Sequence, residues 1–362
     1  MSFTARRDRL RHSIASDPID GLLVSSATNV GYLTGFTGED ATFLLTPDRA
    51  IIISDGRFTT QLAEECPDLD VVIRPIGQTM AVGVAELVKG IDLARLGIEG
   101  GATTVDDFHA LREAADPVAV EPISGKVESL RMLKDDDEIA AIRDAIAIAE
   151  RAFLDLRAVL RPGLTEKWAA DFLEAAMRFQ GATAASFPPI VAAGPRAALP
   201  HARPTPETRI GDADLILIDW GATGRPYKSD LTRVLVTGKV TPRFEAVYRV
   251  VFEAQSRAIN AIRPGVVARV IDAEARGVIE AAGFGPHFSH SVGHGIGRDV
   301  HEAPVLRHVT ETQLEAGMVV TIEPGVYLPG WGGVRIEDDV LVTETGHEVL
   351  STLPKTLDST VL

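Results

Sequence analysis

Only one cysteine, Cys66, occurs in this chain of 362 residues. Intrachain disulfides are therefore impossible, and a thiolate metal cage is excluded with them. No stretch approaches the ~20 apolar residues of a membrane-spanning helix. The N-terminal segment, Met1 to Ser13, is rich in Arg and polar residues and has no apolar core. A cytoplasmic protein is expected. Basic excess is missing too: 36 Lys and Arg stand against 51 Asp and Glu, a formal net charge of -15 with no basic stripe to offset it. That balance disfavours nucleic acid or an anionic membrane as a partner. Internal repeats and low-complexity segments are absent, and 45% hydrophobic with 24% charged residues suffices for two domains with sizeable cores.

What is present gathers in the C-terminal half. Asp219, Asp230, His294, Glu323 and Glu337 each stand beside glycine or an apolar, strand-like run. Four hard oxygen donors and one imidazole read as a two-metal hydrolase site, suited to Mn(II), Co(II) or Fe(II). Leu215 to Ile218 is a continuous apolar run, the pattern of a strand buried on both faces, and it ends in Asp219. An ionised carboxylate there needs a cation, since stranding it unpaired costs several kcal/mol, on the order of 3 to 5. The segment Gly221 to Pro226 reads as a turn and Leu231 to Val236 as a returning strand, so Asp219 and Asp230 are expected to face each other across a hairpin. Met318 to Ile322 is a further strand ending at Glu323. In Gly333 to Glu337 a period of two places Arg335 and Glu337 on one face.

Three of the nine histidines, His290, His294 and His301, fall in one short stretch, and glycines flank His294. Such clustering beside carboxylate-bearing strands points to function rather than to a satisfied core histidine. His301-Glu302 is not a zincin motif, because position 305 is Val where the second His would stand.

The motifs Asp219-Trp220-Gly221-Ala222, Tyr227-Lys228-Ser229-Asp230-Leu231-Thr232-Arg233, His294-Gly295-Ile296-Gly297 with His301-Glu302, Thr321-Ile322-Glu323-Pro324-Gly325 with Tyr327, and Gly333 through Asp338 occur in this order. Taken jointly, the chain resembles the pita-bread metallopeptidases, in the branch of Xaa-Pro dipeptidase (prolidase) and aminopeptidase P. The resemblance covers nearly the whole chain. It implies an α+β pita-bread catalytic domain behind an α/β creatinase-type N-terminal domain, with Asp219 on one metal, His294 and Glu323 on the other, and Asp230 and Glu337 bridging. It also implies His201, Arg335 and Tyr327 as substrate-binding groups, and His290, His301 and Glu323 as catalytic ones. Two divalent ions, manganese first, a proline-containing di- or oligopeptide substrate and a homodimer follow from the same resemblance. Val234 replaces the Thr frequent after Thr232-Arg233, and Phe58 stands where Tyr is common.

The cluster by itself predicts metal-assisted hydrolysis by a metal-bridging hydroxide, and the resemblance implies that the bond cut is Xaa-Pro. His301 or His290 would donate to the oxyanion, a contribution of roughly 3 kcal/mol, and Glu323 would carry the proton to nitrogen. An Xaa-Pro bond is a tertiary imide with no N–H, so peptidases that rely on that N–H cannot use it. The alternatives are an aminopeptidase of other specificity, a metal-free creatinase-like enzyme and a catalytically silent pita-bread protein that binds peptides. Retention of all five ligand positions argues against the last two, since four unpaired carboxylates are expensive to gather.

The front half alternates short apolar runs with helical stretches: Gly21 to Val24, the Phe43 to Ser54 pair around Thr46-Pro47-Asp48, then Val71 to Ile73. Tyr32 to Gly38 also matches the family. We expect a packing and oligomerisation domain over residues 1–130 and the catalytic domain over 131–362. Asp135-Asp136-Asp137-Glu138 predicts a capped helix opening the second domain, and further helices are expected from Thr165-Glu166, over Arg243 to Ile262 and over Ala268 to Ala282.

Overall fold

In the computed structural model, which describes residues 1–212 and 215–362, the chain falls into two units, Met1–Arg131 and Met132–Leu362. Alternating burial explains the first. Its six-stranded sheet runs in the spatial order Asp70–Arg74, Ala50–Asp55, Thr42–Leu45, Gly21–Val24, Arg95–Glu99, Ala119–Ile123. The inner three strands form an antiparallel meander and the outer pairings are parallel. Successive side chains serve opposite cores: Leu22, Val24, Phe43 and Leu45 belong to one cluster, while Leu23, Leu44, Ile51 and Ile53 belong to the other. Both faces are therefore covered, which is why these strands read as unbroken apolar runs. Cys66 lies fully buried, its thiol directed at the Thr34 carbonyl, a small core residue rather than a reactive one.

The second unit opens with the helix Asp136–Val159. Asp135 caps it by accepting from the Glu138 amide while the Glu138 carboxylate accepts from the Asp135 amide. Thr165 caps Glu166–Phe179 in the same position, and Pro242–Ala261 packs along Ala268–Ala281. The alanine stripe Ala141, Ala145, Ala149 and Ala152 is core, so small side chains let the long helix lie close to the strands beneath.

Two β-layers carry the polar residues. One is the antiparallel ladder Ile190–Ala193, Ile216–Trp220, Leu231–Leu235. The other has the order Glu302–Leu306, Gly293–Gly295, Val319–Ile322, Asp338–Val342, His347–Val349. The hairpin of Gly325–Leu328 and Gly332–Arg335 leads to Glu337, where an isolated bridge to Thr232 joins the two layers through the Glu337 amide and the Thr232 carbonyl, 3.2 Å apart. The segment read as a plain turn after Asp219 holds more structure than that. Ala222–Gly224 pairs with both Ala184–Ala185 and Tyr227–Lys228, a small ribbon whose short, polar strands give too weak an alternation to be seen in sequence.

Candidate metal centre

Asp219 lies in a strand buried along its whole length, and the register sets it opposite Thr232, with Trp220 opposite Leu231. Asp230 comes two residues before Thr232 and shares its face by alternation, so Asp219 and Asp230 are diagonal neighbours rather than directly opposed. The ribbon at 222–228 explains the difference, because it occupies the connection that a tight hairpin would have used. His294 is the middle residue of Gly293–Gly295, held between Glu302–Leu306 and Val319–Ile322. A Cβ on Gly293 would come 1.9 Å from the Thr321 carbonyl oxygen, and one on Gly295 would come 2.2 Å from that of Ala303. Only glycine on each side of His294 permits this approach of three backbones.

All ten residues singled out by sequence, Asp219, Asp230, His294, Glu323, Glu337, His201, His290, His301, Tyr327 and Arg335, line one cavity of about 560 Å³. Ligand atoms of Asp230, His294 and Glu337 lie within 4.8 Å of one another. The His294 Nδ1 sits 3.0 Å from the Gly295 carbonyl. A carbonyl can only accept, so the proton is on Nδ1 and the Nε2 lone pair points into the cluster, 3.7 Å from Asp230 Oδ2 and 3.4 Å from Glu323 Oε1. Asp219 Oδ1 is buried with no hydrogen-bond partner among the described residues. An orphaned carboxylate oxygen, an inward lone pair and crowded carboxylates are what a divalent-ion site leaves when read without its ions. The donor set fits hard divalent cations.

The electrostatics agree. Burial, then the charges of Glu337, Asp219 and Glu323, lifts the Asp230 carboxyl well above its ordinary range. Burial, then Glu323 and Asp219, does the same to Glu337. Glu323 is pushed up to about 7, chiefly by burial, and burial raises Asp219 despite the Arg335 guanidinium beside it. In each case burial, joined at Asp230, Glu323 and Glu337 by neighbouring carboxylates, outweighs the positive charge nearby, so the ionised forms are under-compensated in this pocket.

The remaining residues divide by what their polar atoms already do. Arg335 is buried, and its Nη2 donates to Asp219 Oδ2 (2.5 Å), its Nε to Thr232 Oγ1 (3.0 Å) and its Nη1 to the Tyr327 hydroxyl (2.8 Å). The Tyr327 hydroxyl donates a hydrogen bond to His290 Nε2 at 2.9 Å, while His290 Nδ1 donates to the Ser291 carbonyl at 2.8 Å. Both nitrogens of His290 are thus engaged, and burial holds its pKa down at about 4. The expected oxyanion donation from His290 therefore has no free proton behind it in this arrangement. His201 and His301 are exposed at the cavity, and His301 lies edge-on to His294 with ring centroids 4.4 Å apart.

Sequence reasoning missed the supports. Thr232 Oγ1 donates to Glu337 Oε2 at 2.6 Å while accepting from Arg335, so one hydroxyl fixes two groups of the centre. Asp339 Oδ2 accepts the Asp230 amide and Thr321 Oγ1 accepts the His294 amide. Thr232 had a signal, since it lies two residues from Asp230 on the same strand face. Val234, in the position where threonine is frequent, packs in the apolar core and leaves this support to Thr232.

The sequence model described as metallopeptidase family M24 matches residues 140–344, and that of the creatinase/prolidase N-terminal domain matches residues 6–133. The chain is 34% identical over 349 residues to the Xaa-Pro dipeptidase of Pyrococcus furiosus, covering 96% of this chain and 97% of that protein. Among solved structures, an Xaa-Pro dipeptidase from Bacillus anthracis aligns over 100% of both chains with TM-score 0.95 at 38% identity. An X-Pro aminopeptidase from Thermotoga maritima aligns over 97% of this chain and 100% of its own with TM-score 0.88 at 35% identity.

Proposed function

The chain belongs to metallopeptidase family M24, its catalytic pita-bread domain preceded by a creatinase-type domain, and from that premise we propose that it is an exopeptidase cleaving the Xaa-Pro bond of dipeptides or of peptide N-termini. The observation that carries this is the five-residue donor set around one cavity, with Asp219 Oδ1 left unpartnered and Glu323 raised to about 7. Asp219, Asp230, His294, Glu323 and Glu337 would hold two divalent ions. Bound there, such ions would supply Lewis acidity and activate water as the nucleophile.

The protein's own groups do the rest. His301, exposed beside His294, donates to the oxygen that gains charge as the carbonyl is attacked. Glu323 takes a proton from water and returns it to the leaving proline nitrogen. Arg335 and Tyr327 act from behind: the guanidinium aims Asp219 and neutralises part of the cluster, and the Tyr327 hydroxyl locks the His290 ring. His201 and Arg203, both exposed at the cavity, are left to meet the substrate. Manganese is the ion we assign, in a homodimer working in the cytoplasm; among the described residues no helix is long and apolar enough to cross a membrane. A silent peptide-binding role finds no support, since every ligand position is kept.

Hydrolysis of an Xaa-Pro dipeptide and an Xaa-Pro-Yaa tripeptide by chelator-stripped protein, with and without Mn(II), tests the reading. Metal-dependent cleavage is expected, and substrate length separates dipeptidase from aminopeptidase. Metal binding without cleavage of either peptide would remove proline specificity.

A further inference from the structure

The cavity at the carboxylate cluster shares part of its wall with a second groove of about 590 Å³: His290, Ser291 and Val305 line both. The two spaces differ in the ionisable groups that line them. Four carboxylates face the first, whereas the second is lined further by Arg276, Phe288, Ser289, Arg307 and His308, with no carboxylate among these described residues. Arg276 is already committed, holding Asp272 through Nε at 2.8 Å and Nη2 at 2.9 Å and donating to the carbonyls of Phe288 and His290. Arg307 differs. It is exposed, and no side-chain partner for its guanidinium is found among the described residues. In a chain with a net charge of -15, an unpaired guanidinium in a groove that adjoins the centre is a feature to explain.

We propose that this groove receives the downstream end of a peptide longer than a dipeptide, with Arg307 pairing to its C-terminal carboxylate. The inference rests on the exopeptidase reading and names its substrate class. Any exopeptidase substrate with free ends carries an ammonium at one terminus and a carboxylate at the other. The adjoining groove, lined by guanidinium and imidazole groups and by no carboxylate among the described residues, offers the second a matching charge. Arg307 presents a planar fork suited to a carboxylate. Val305, at the shared wall, places an apolar surface along the path between the two spaces. The rival reader of the carboxylate is Arg203, exposed in the first cavity, which a dipeptide could reach without entering the groove.

The test is a series of Xaa-Pro, Xaa-Pro-Ala and longer alanine extensions, each as free acid and as C-terminal amide. kcat/KM is measured on the Mn(II)-loaded protein, and Kd by calorimetry on Glu323→Gln protein, which reads binding without turnover. For an exposed pair the free acid should win by about fivefold at one extended length. Arg307→Ala should bring that ratio close to one and Arg307→Glu should invert it; the amides serve as the internal control. A ratio near one at every length overturns the proposal. So does a preference confined to the dipeptide and lost in Arg203→Ala, or one untouched by Arg307→Ala. If nothing is hydrolysed while the acid still binds more tightly through Arg307, the exopeptidase reading fails and the groove stands.

Discussion

Replacing Arg335 by Met removes the one buried guanidinium that, among the described residues, faces the carboxylate cluster. The residue is 3% exposed and its side chain makes three hydrogen bonds of 3.0 Å or less, to Asp219, Thr232 and Tyr327. Met preserves much of the volume, so the loss is electrostatic rather than a cavity. Breaking a buried pair by deleting one partner leaves an uncompensated charge and costs about 3 to 5 kcal/mol, against a total stability of about 5 to 15 kcal/mol. In chelated protein at pH 8 the full cost is expected, because Glu323, pushed up to about 7, is then ionised in the cluster that Arg335 faces. At pH 5 Glu323 carries a proton, and burial moves the other three carboxyls in the same direction, so the missing guanidinium costs less. What remains is the lost hydrogen bonding, about 1 to 3 kcal/mol.

Bound Mn(II) should shrink the cost at pH 8 for the same reason, since the ions supply the positive charge the guanidinium no longer does. Urea unfolding of chelated and loaded protein at the two pH values reads all four quantities, with an unchanged slope showing that only stability has moved. Should the variant be unfolded at pH 8, its recovery at pH 5 or on adding Mn(II) is the same prediction in another form. A chelated Arg335→Met protein within 1 kcal/mol of wild type at pH 8 would refute the argument. So would a cost that does not depend on pH. Arg335→Lys should fall between, keeping the charge but losing the fork.

Glu323→Gln should stabilise the chelated protein and destabilise the loaded one. A buried acid whose pKa moves from 4.5 to about 7 penalises folding once ionised, a penalty absent below its ordinary value and complete above 7, worth about 3 kcal/mol. The gain is therefore expected at pH 8 and absent at pH 4 in denaturant unfolding, and it should change sign with Mn(II) because a ligand is gone; equal stabilities at pH 8 would contradict it. Glu166→Gln should raise KM more than it lowers kcat. Glu166, fully buried, accepts from the Ala193 amide at 2.8 Å, the Arg196 guanidinium at 2.9 Å and the Thr205 amide at 3.1 Å, and so clamps both ends of the loop that presents His201 and Arg203. The lost acceptor should also cost about 1 to 3 kcal/mol in thermal or urea unfolding, and a kcat defect with KM unchanged would mean that the loop is not held this way.

How far the centre could be read from sequence follows the range of the interactions that build it. Asp219 was legible because an apolar run that ends in a carboxylate is anomalous within five residues, and the helix at 136 because its cap and capping box lie within four. Glycines beside His294 were legible as a demand for close backbones, though not which backbones: Thr321 and Ala303 supply them from other strands. The supports were not legible. Thr232 meets Glu337 across 105 residues of chain and Arg335 across 103, and nothing in the composition of either segment announces the partner.

The same distance hid the fate of His290. Sequence offered it as a donor equal to His301, but a tautomer is decided by what the other nitrogen meets, and here a neighbouring carbonyl and the Tyr327 hydroxyl, 37 residues on, take both. A cluster of carboxylates can be inferred from residue types because its chemistry is carried by the ligands themselves. Which imidazole has both nitrogens engaged is settled by the fold, so two histidines that the motif treats alike end in different surroundings: His290 sits between the Tyr327 hydroxyl and the Ser291 carbonyl, and His301 is exposed at the cavity.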